Sequence, residues 1–376
     1  MIVYITITII LLLLCGVIYR AEQAGCTGAP TDRSRGGAAV RLAFVMIFLV
    51  MVIPEALRVN TGNDYMKYVE FMHLANVEGA YLVTEPGFNI LVRVVYGMCG
   101  YENYLLVFAL FAAGTAAMAL LGLRLQAQDF SFSFFLFLMF GYYLQSYNTV
   151  RYYLAMSIIM VALYFFARRE WAGFAAMVLL AACFHKSALV VFALWPLCLL
   201  PWNLPMTAAA AALGIAVNLP MLRGLWMDVL TKLYPSYANT DFLGQVRFSY
   251  VNIARCGIVL LLALYDLHVR GVRKKDLPDT ERFYFNASLL ALGIYVFGSF
   301  VPEVSRIAYY LSVTQLFYLP VLLLRSPGKI RRLAVFAAVL YFAAFLYKAG
   351  TPTIRILPYR SIVFRDLPKI LSEVTQ

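Results

Sequence analysis

An all-α, polytopic membrane protein is the fold class this sequence predicts, and three observations carry it. Of the 376 residues, 63% are hydrophobic and only 13% are charged, whereas soluble chains are roughly 45–50% apolar and about 25% charged. Mean hydropathy is +0.78. The apolar residues gather into long runs, and short loops rich in lysine and arginine separate them. These figures exclude a soluble enzyme, a disordered chain and a coiled coil. One integral-membrane domain, 1–376, is expected, with polar outer loops near 58–103 and 223–249. The net charge of +12 would suggest nucleic acid in a soluble chain. Here it is read as basic membrane flanks, and no nucleic acid partner is expected.

A span needs about 20 largely apolar residues. The first run, Ile2 to Val17, has no basic residue before it, and the positive charge follows at Arg20, Arg33, Arg35 and Arg41. A secretory signal has the opposite order, so this run reads as a retained helix. Further apolar runs predict helices near 40–57, 103–123, 130–146, 150–167, 172–184, 188–200, 207–222, 250–267, 284–301, 307–324 and 333–349. With the first, near 1–19, this makes about 12 transmembrane helices. The basic clusters Arg168-Arg169, Arg270 to Arg282 and Arg325 to Arg332 then mark cytoplasmic loops, and both termini are expected on the periplasmic side of a bacterial inner membrane.

The run 171–200 tests that topology. Read as one tilted helix, it would turn the later basic loops outward. Read as two pieces turning at Phe184-His185-Lys186-Ser187, it keeps them cytoplasmic. Each piece has about 13 residues and spans about 20 Å, less than the ~30 Å hydrocarbon core, so the turn must line protein or water. The broken form is the one expected. The short apolar segment 86–99 is expected to lie along the interface.

Cysteines 15, 26, 99, 183, 198 and 256 contain no C-x-x-C pair, which argues against a disulfide framework or zinc site. Only three histidines occur, and H-E-x-x-H is absent, so a metalloprotease is excluded.

In this topology the unusual polar groups fall on the outer side. They are Arg58, Asp64, Tyr65 and Glu85 in the first long loop, and Asn148 and Arg151 in the next turn. His185 and Lys186 sit in the broken hairpin, with Glu303 and Arg306 further on and Arg355, Tyr359, Arg360 and Arg365 in the tail. Charges at membrane depth are costly and mark function. Arginine grips phosphate oxygens in a bidentate fork and lysine adds a point charge, so Arg58, Arg151, Lys186 and Arg306 suit a diphosphate. Asp64 or Glu85 suits a general base on a hydroxyl nucleophile. Each residue also has a plainer use. Asp64 fits a helix N-cap, Arg58 and Lys186 fit lipid-headgroup anchors, and Arg151 fits a structural ion pair. His185 fits a hydrogen-bonded packing residue, and the tyrosines fit an aromatic belt. The functional uses require these groups to meet in one outward-facing cavity. Transfer of a sugar from a lipid diphosphate carrier is the chemistry they fit. No dedicated metal cage is visible, and a weakly held divalent cation bridging Asp64 and the diphosphate stays open.

Arg58-x-x-Thr-Gly-Asn-Asp64-Tyr65-x-x-Tyr68, Glu85-Pro-Gly-Phe88, Asn148-x-x-Arg151-x-x-x-Ala155 and Phe184-His185-x-Ser187-Ala188 follow one another in order. This series resembles the EpsG family of bacterial exopolysaccharide membrane proteins, and Ser305-Arg306-x-x-Tyr309-Tyr310 is similar to a later stretch of it. Where the family commonly has Arg-Gln, this chain has Arg151-Tyr152. The resemblance implies a GT-C-like architecture and a Wzy-like polymerase or glycosyltransferase of exopolysaccharide, capsule or O-antigen assembly. It also implies an undecaprenyl-diphosphate-linked oligosaccharide as substrate. By fold-level analogy it points to Asp64 as the acidic residue of the first outer loop; His185 is a further catalytic candidate on its own chemistry and position in the broken hairpin. A flippase and a chain-length regulator are possible assembly partners. Single-sugar transfer from a polyprenyl phosphate is the alternative within this chemistry. A lipid-linked sugar flippase or transporter, suggested by the broken hairpin, and an acyltransferase using His185 are the alternatives outside it.

Overall fold

A computed structural model of the chain describes residues 1–26, 28–29, 31–80, 84–233, 248–299, 304–352 and 354–364. Most of the loop 223–249 therefore lies outside the described residues, as do Glu303 and Arg365. In chain order the helices are α1 (Ile2–Gln23), α2 (Arg35–Ala56), α3 (Tyr65–Asn76), α4 (Pro86–Cys99), α5 (Tyr104–Gln126), α6 (Phe130–Met139), α7 (Tyr142–Ser146), α8 (Val150–Ala167) and α9 (Trp171–Ala182). They continue as α10 (Val191–Cys198), α11 (Leu204–Val217), α12 (Pro220–Leu233), α13 (Tyr250–Arg270), α14 (Asp279–Phe297), α15 (Val304–Ser312), α16 (Gln315–Arg325) and α17 (Gly328–Lys348). Among the described residues there is no strand, only an isolated antiparallel bridge between Arg58 and Ser361.

Helix starts follow local chemistry. Ser34, Asn103, Asp129 and Asn203 each accept a backbone N–H of the first turn of α2, α5, α6 and α11, which satisfies a donor that has no intrahelical partner. Gly100 and Gly271 end α4 and α13 in the left-handed conformation.

Among the described residues, six helices are long and apolar enough to cross a membrane: α1, α2, α5, α8, α13 and α17. α15 and α16 make a seventh if counted as one span bent by 44°. The chain is thus a membrane-embedded, all-helical protein. Among the described residues each apolar run expected to be a span is mostly helical, but several do not reach span length unbroken. The run 130–146 is split into α6 and α7 at Gly141, whose φ is +76°. The run 171–200 is interrupted as expected: α9 stops at Ala182 and a 3-10 turn, Lys186–Val190, precedes α10.

The chain divides into two compact units, residues 1–188 with 328–376, and residues 189–327. In the first, α8 is buried on nearly all sides and packs against α5 and α9, while α1, α2 and α5 pack in sequence. An all-apolar helix surface is what such a central position requires. In the second, α14 is the hub, with α10, α11, α13 and α15 against it.

Candidate functional site

The site is assembled in the first unit from the loop before α3, the start of α4, the start of α8 and the break after α9. Its centre is an ion pair between Arg151 and Glu85. Arg151 stands in the first turn of α8 and Glu85 just before α4. Tyr68, Phe71 and Phe88 lie 5.4–5.7 Å from the guanidinium carbon, within cation–π range. The two charged side chains are 15% and 11% exposed, so the pair is mostly buried without being sealed. The Arg151 Nε finds no acceptor among the described residues, so Glu85 does not saturate the fork. The other Glu85 oxygen accepts the Lys186 backbone N–H at 3.2 Å, which ties the α9 break to the pair.

Backbone geometry explains the rest of Glu85-Pro-Gly-Phe88. Pro86 occupies the first position of α4, where its missing N–H costs nothing. The Gly87 N–H donates to the Cys183 carbonyl at 2.8 Å, and a Cβ on Gly87 would stand 2.6 Å from that oxygen. Phe88 is fully buried. Beside the break, the His185 Nδ1 lies 2.7 Å from the Ser187 hydroxyl, and its ring meets Tyr152 edge-on at 5.3 Å. Lys186 is exposed.

The Arg58-to-Tyr68 motif folds into a second cluster. Gly62 has φ +101°, and a Cβ there would lie 2.5 Å from the Tyr147 carbonyl, so only glycine brings this loop against the turn before α8. That contact lets Asn148 accept the Asp64 N–H at 3.2 Å. Asp64 is half-buried at the entry to α3 and makes no cap with its side chain.

Arg58 and Tyr65, expected to line an open cavity, are enclosed. Arg58 is fully buried, with Phe108, Tyr147 and Tyr65 within 6.0 Å of its guanidinium carbon. It donates to the Glu55 carbonyl at 2.6 Å and pairs with the Glu55 carboxylate at 3.6 Å. Tyr65 stacks on Phe108 at 4.6 Å, and burial pushes its phenol up, partly offset by Arg58. The physical reason is local. A guanidinium flanked by aromatic rings and a carboxylate three residues back has its partners inside the packing.

Sequence reasoning missed Glu55, which also accepts the Ser146 hydroxyl at 2.9 Å; its spacing of three from Arg58 at the end of an apolar run was the available signal. It also missed the role of the tail. Val59, Gly62 and Asn63 donate backbone N–H groups to Arg360, Arg355 and Ile354, and Ile362 donates back to Leu57. Arg355 reaches Asn60 at 2.5 Å. The tail is thus a strap along the Asp64 loop, and no local pattern signals it.

The structure therefore brings Asp64, Glu85, Asn148, Arg151, His185 and Lys186 together in the first unit, with Arg58 and Tyr65 packed behind them. Arg306 belongs to the second unit, half-buried in the first turn of α15. No group of three or more His, Cys, Asp or Glu able to hold a metal occurs among the described residues.

Comparison with curated proteins and with solved structures gave no match. The profile of the EpsG family matches residues 41–361, a range that contains every residue of the site. The chain therefore belongs to the EpsG family, and this membership implies a membrane exopolysaccharide polymerase or glycosyltransferase.

Proposed function

We propose that the protein polymerises undecaprenyl-diphosphate-linked oligosaccharide repeats at the outer face of the bacterial inner membrane, with both termini periplasmic. The observation that carries this reading is the Arg151–Glu85 pair, partly exposed and not saturated. Glu85 holds the guanidinium in place in the absence of substrate. An incoming diphosphate, which carries more charge and matches the fork, takes over Arg151. Lys186, exposed at the α9 break, adds a second cation.

In the reaction a hydroxyl at the non-reducing end of one repeat attacks the anomeric carbon of another. The new glycosidic C–O bond forms as the C–O bond to the diphosphate breaks, and polyprenyl diphosphate leaves with the bonding electrons. Asp64 takes the hydroxyl proton. Glu85, which holds Arg151 and the Lys186 amide, is the second candidate for that role. The cations neutralise charge that grows on the leaving group. His185 stands beside the break as a further proton-transfer group. A weakly held divalent cation between Asp64 and the diphosphate would add to the same neutralisation. Arg58 and Tyr65 act as positioning residues behind the Asp64 loop. A flippase that supplies repeats and a chain-length regulator are the partners such a polymerase needs.

The test is reconstitution of the purified protein in detergent with lipid-linked repeats. A ladder of lengthened products is expected, and Asp64→Asn, which keeps side-chain size and removes the charge, should abolish it. Addition of one sugar from a polyprenyl-phosphate donor with no ladder would replace polymerisation by single-sugar transfer. Absence of any glycosyl transfer, with lipid-linked repeats crossing vesicle membranes, would replace the enzyme by a flippase.

A further inference from the structure

The strap laid along the Asp64 loop is paired in two stretches that do not share a register. Towards α2, Val59 donates to the Arg360 carbonyl and Ile362 to that of Leu57, on either side of the Arg58–Ser361 bridge. Towards α3, Gly62 donates to the Arg355 carbonyl and Asn63 to that of Ile354. Between these stretches the loop has two residues, 60 and 61, and the tail has four, 356–359. Two chains of unequal length that are joined at both ends must bend. The bend falls on Asn60, with φ +44°, and on Arg355, with φ +47°. Residues other than glycine seldom adopt this left-handed conformation, and among the described residues Arg169 is the only other one that does. The two bent residues meet: the Arg355 guanidinium donates to the Asn60 side-chain oxygen at 2.5 Å. Strained backbone persists where its surroundings over-determine it, and it clusters at functional sites.

The surroundings here are fixed on every side. Thr61 is fully buried, and its hydroxyl accepts the Arg360 N–H at 3.2 Å and donates to the Val59 carbonyl at 3.1 Å. On the longer side, Ile356 and Leu357 donate to the carbonyl of Ala349, just past the end of α17. The Tyr4 hydroxyl of α1 donates to the Ile356 carbonyl at 2.8 Å, and the Tyr359 hydroxyl to the Pro54 carbonyl of α2 at 2.9 Å. The tail is thus a rail rooted on α1, α2 and α17, all in the first unit, and the loop hangs on it. Asp64 follows Asn63 directly, and its own N–H goes to Asn148 before α8. It therefore stands between the bent junction and the turn that leads to Arg151, and a shift at residue 60 or 355 passes through residues 62 and 63 to it.

We infer that Asn60 and Arg355 are positioning residues, whose contact across the strap fixes where Asp64 stands. The inference rests on the reading of Asp64 given above and adds the device that aims it. Placement to within about 1 Å is worth up to ~10²-fold in rate, even when the displaced group lies far from the residue that is changed.

The experiment uses the purified full-length protein with lipid-linked repeats, and glycine variants that keep the bend. Glycine adopts positive φ without steric cost, so Arg355→Gly and Asn60→Gly remove the contact and leave the backbone path open. Each should keep a near-parental thermal midpoint and KM while kcat falls about 10–10²-fold. Should one of them fold poorly, the other carries the test. The double variant should be no slower than either single one, because both lose the same contact. Arg355→Lys, which keeps a donor for Asn60, and Asn60→Asp, which keeps an acceptor, should restore most of the rate. Hydrogen exchange at residues 62 and 63 should quicken in the glycine variants. Parental kcat in both glycine variants, a rate that falls only as far as the thermal midpoint does, or multiplied effects in the double variant overturn the assignment. Unchanged exchange overturns it whichever way the glycosyl-transfer assay falls. Parental turnover in Asp64→Asn with slow glycine variants would remove Asp64 as the base and leave the strap holding the loop. A dead Asp64→Asn with parental glycine variants would do the reverse.

Discussion

Arg58 and Arg151 have nearly the same company and opposite situations. Each has a glutamate partner and three aromatic rings within 6.0 Å. Arg58 takes its carboxylate from three residues earlier in the chain, and both are sealed in the interior. Arg151 takes its carboxylate from the start of α4, and the pair keeps some exposure. The difference is one of packing: Arg58 and Glu55 are 1% and 4% exposed and Arg151 and Glu85 15% and 11%, so the first pair is interior and the second stands at an edge. The enclosed pair braces the loop, and the edge pair is the one a ligand can reach.

The strongest test of this contrast is removal of the enclosed carboxylate. Glu55→Ala leaves the Arg58 charge buried without its carboxylate and is expected to cost about 3–5 kcal/mol of stability, measured as loss of monodisperse protein on heating in detergent. A small effect there would mean that the aromatic rings alone carry the guanidinium. Next comes the edge pair. Arg151→Ala is expected to lower turnover about 10²–10³-fold, the range for loss of one preorganised charge-stabilising donor, while protein yield stays near that of the parent. Polymer of unchanged length would show that Arg151 is a brace like Arg58.

Smaller effects probe the backbone that joins the two regions. Gly87→Ala must push against the Cys183 carbonyl, and about 1–3 kcal/mol of overpacking is expected, read as a lower thermal midpoint. Its effect on turnover should exceed its effect on stability, because the shift displaces Glu85 and the Lys186 amide. An equal effect on both would place the site elsewhere.

The smallest effect concerns a cation held by a carbonyl and a ring. Lys274, in the turn between α13 and α14, donates to the Trp202 carbonyl at 2.7 Å and lies 4.6 Å from the Phe285 ring centre. Partial burial, and then the Arg282 charge, lower its ammonium to about 8, below the ~10.4 of an unfolded chain. In that interval the unfolded state binds more protons than the folded one, so stability rises with pH from about 8 to ~10.4. Lys274 is half-exposed, and solvent screening keeps the gain to no more than about 1 kcal/mol. Thermal midpoints at pH 7 and pH 9.5 should differ by a small upward step that Lys274→Gln removes. A step of the same size in that variant would assign it to another group. Arginine cannot shed its proton in this way, which is why Arg58 requires Glu55.

What was legible in the sequence follows from local chemistry. Apolar runs required helices because backbone groups in hydrocarbon have no other partners, and among the described residues each expected span is mostly helical. The break at 183–187 was legible because a basic and an imidazole group stand inside an apolar run. The polar motifs were legible as groups too costly to leave in an apolar chain without a use. Span lengths were less so, because Gly141 and the bend between α15 and α16 interrupt runs that hydropathy reads as continuous.

By itself the sequence determined the helical, membrane-embedded class and picked out most of the residues of the candidate site, because hydrophobicity and charge are properties of each residue where it stands. Only the tertiary structure decided which arginine is sealed and which is reachable, that Gly62 and Gly87 must be glycine, and that residues 354–362 strap the Asp64 loop. Those facts depend on which distant segments close over one another, and a contact between residues some 300 positions apart leaves no periodicity in either stretch.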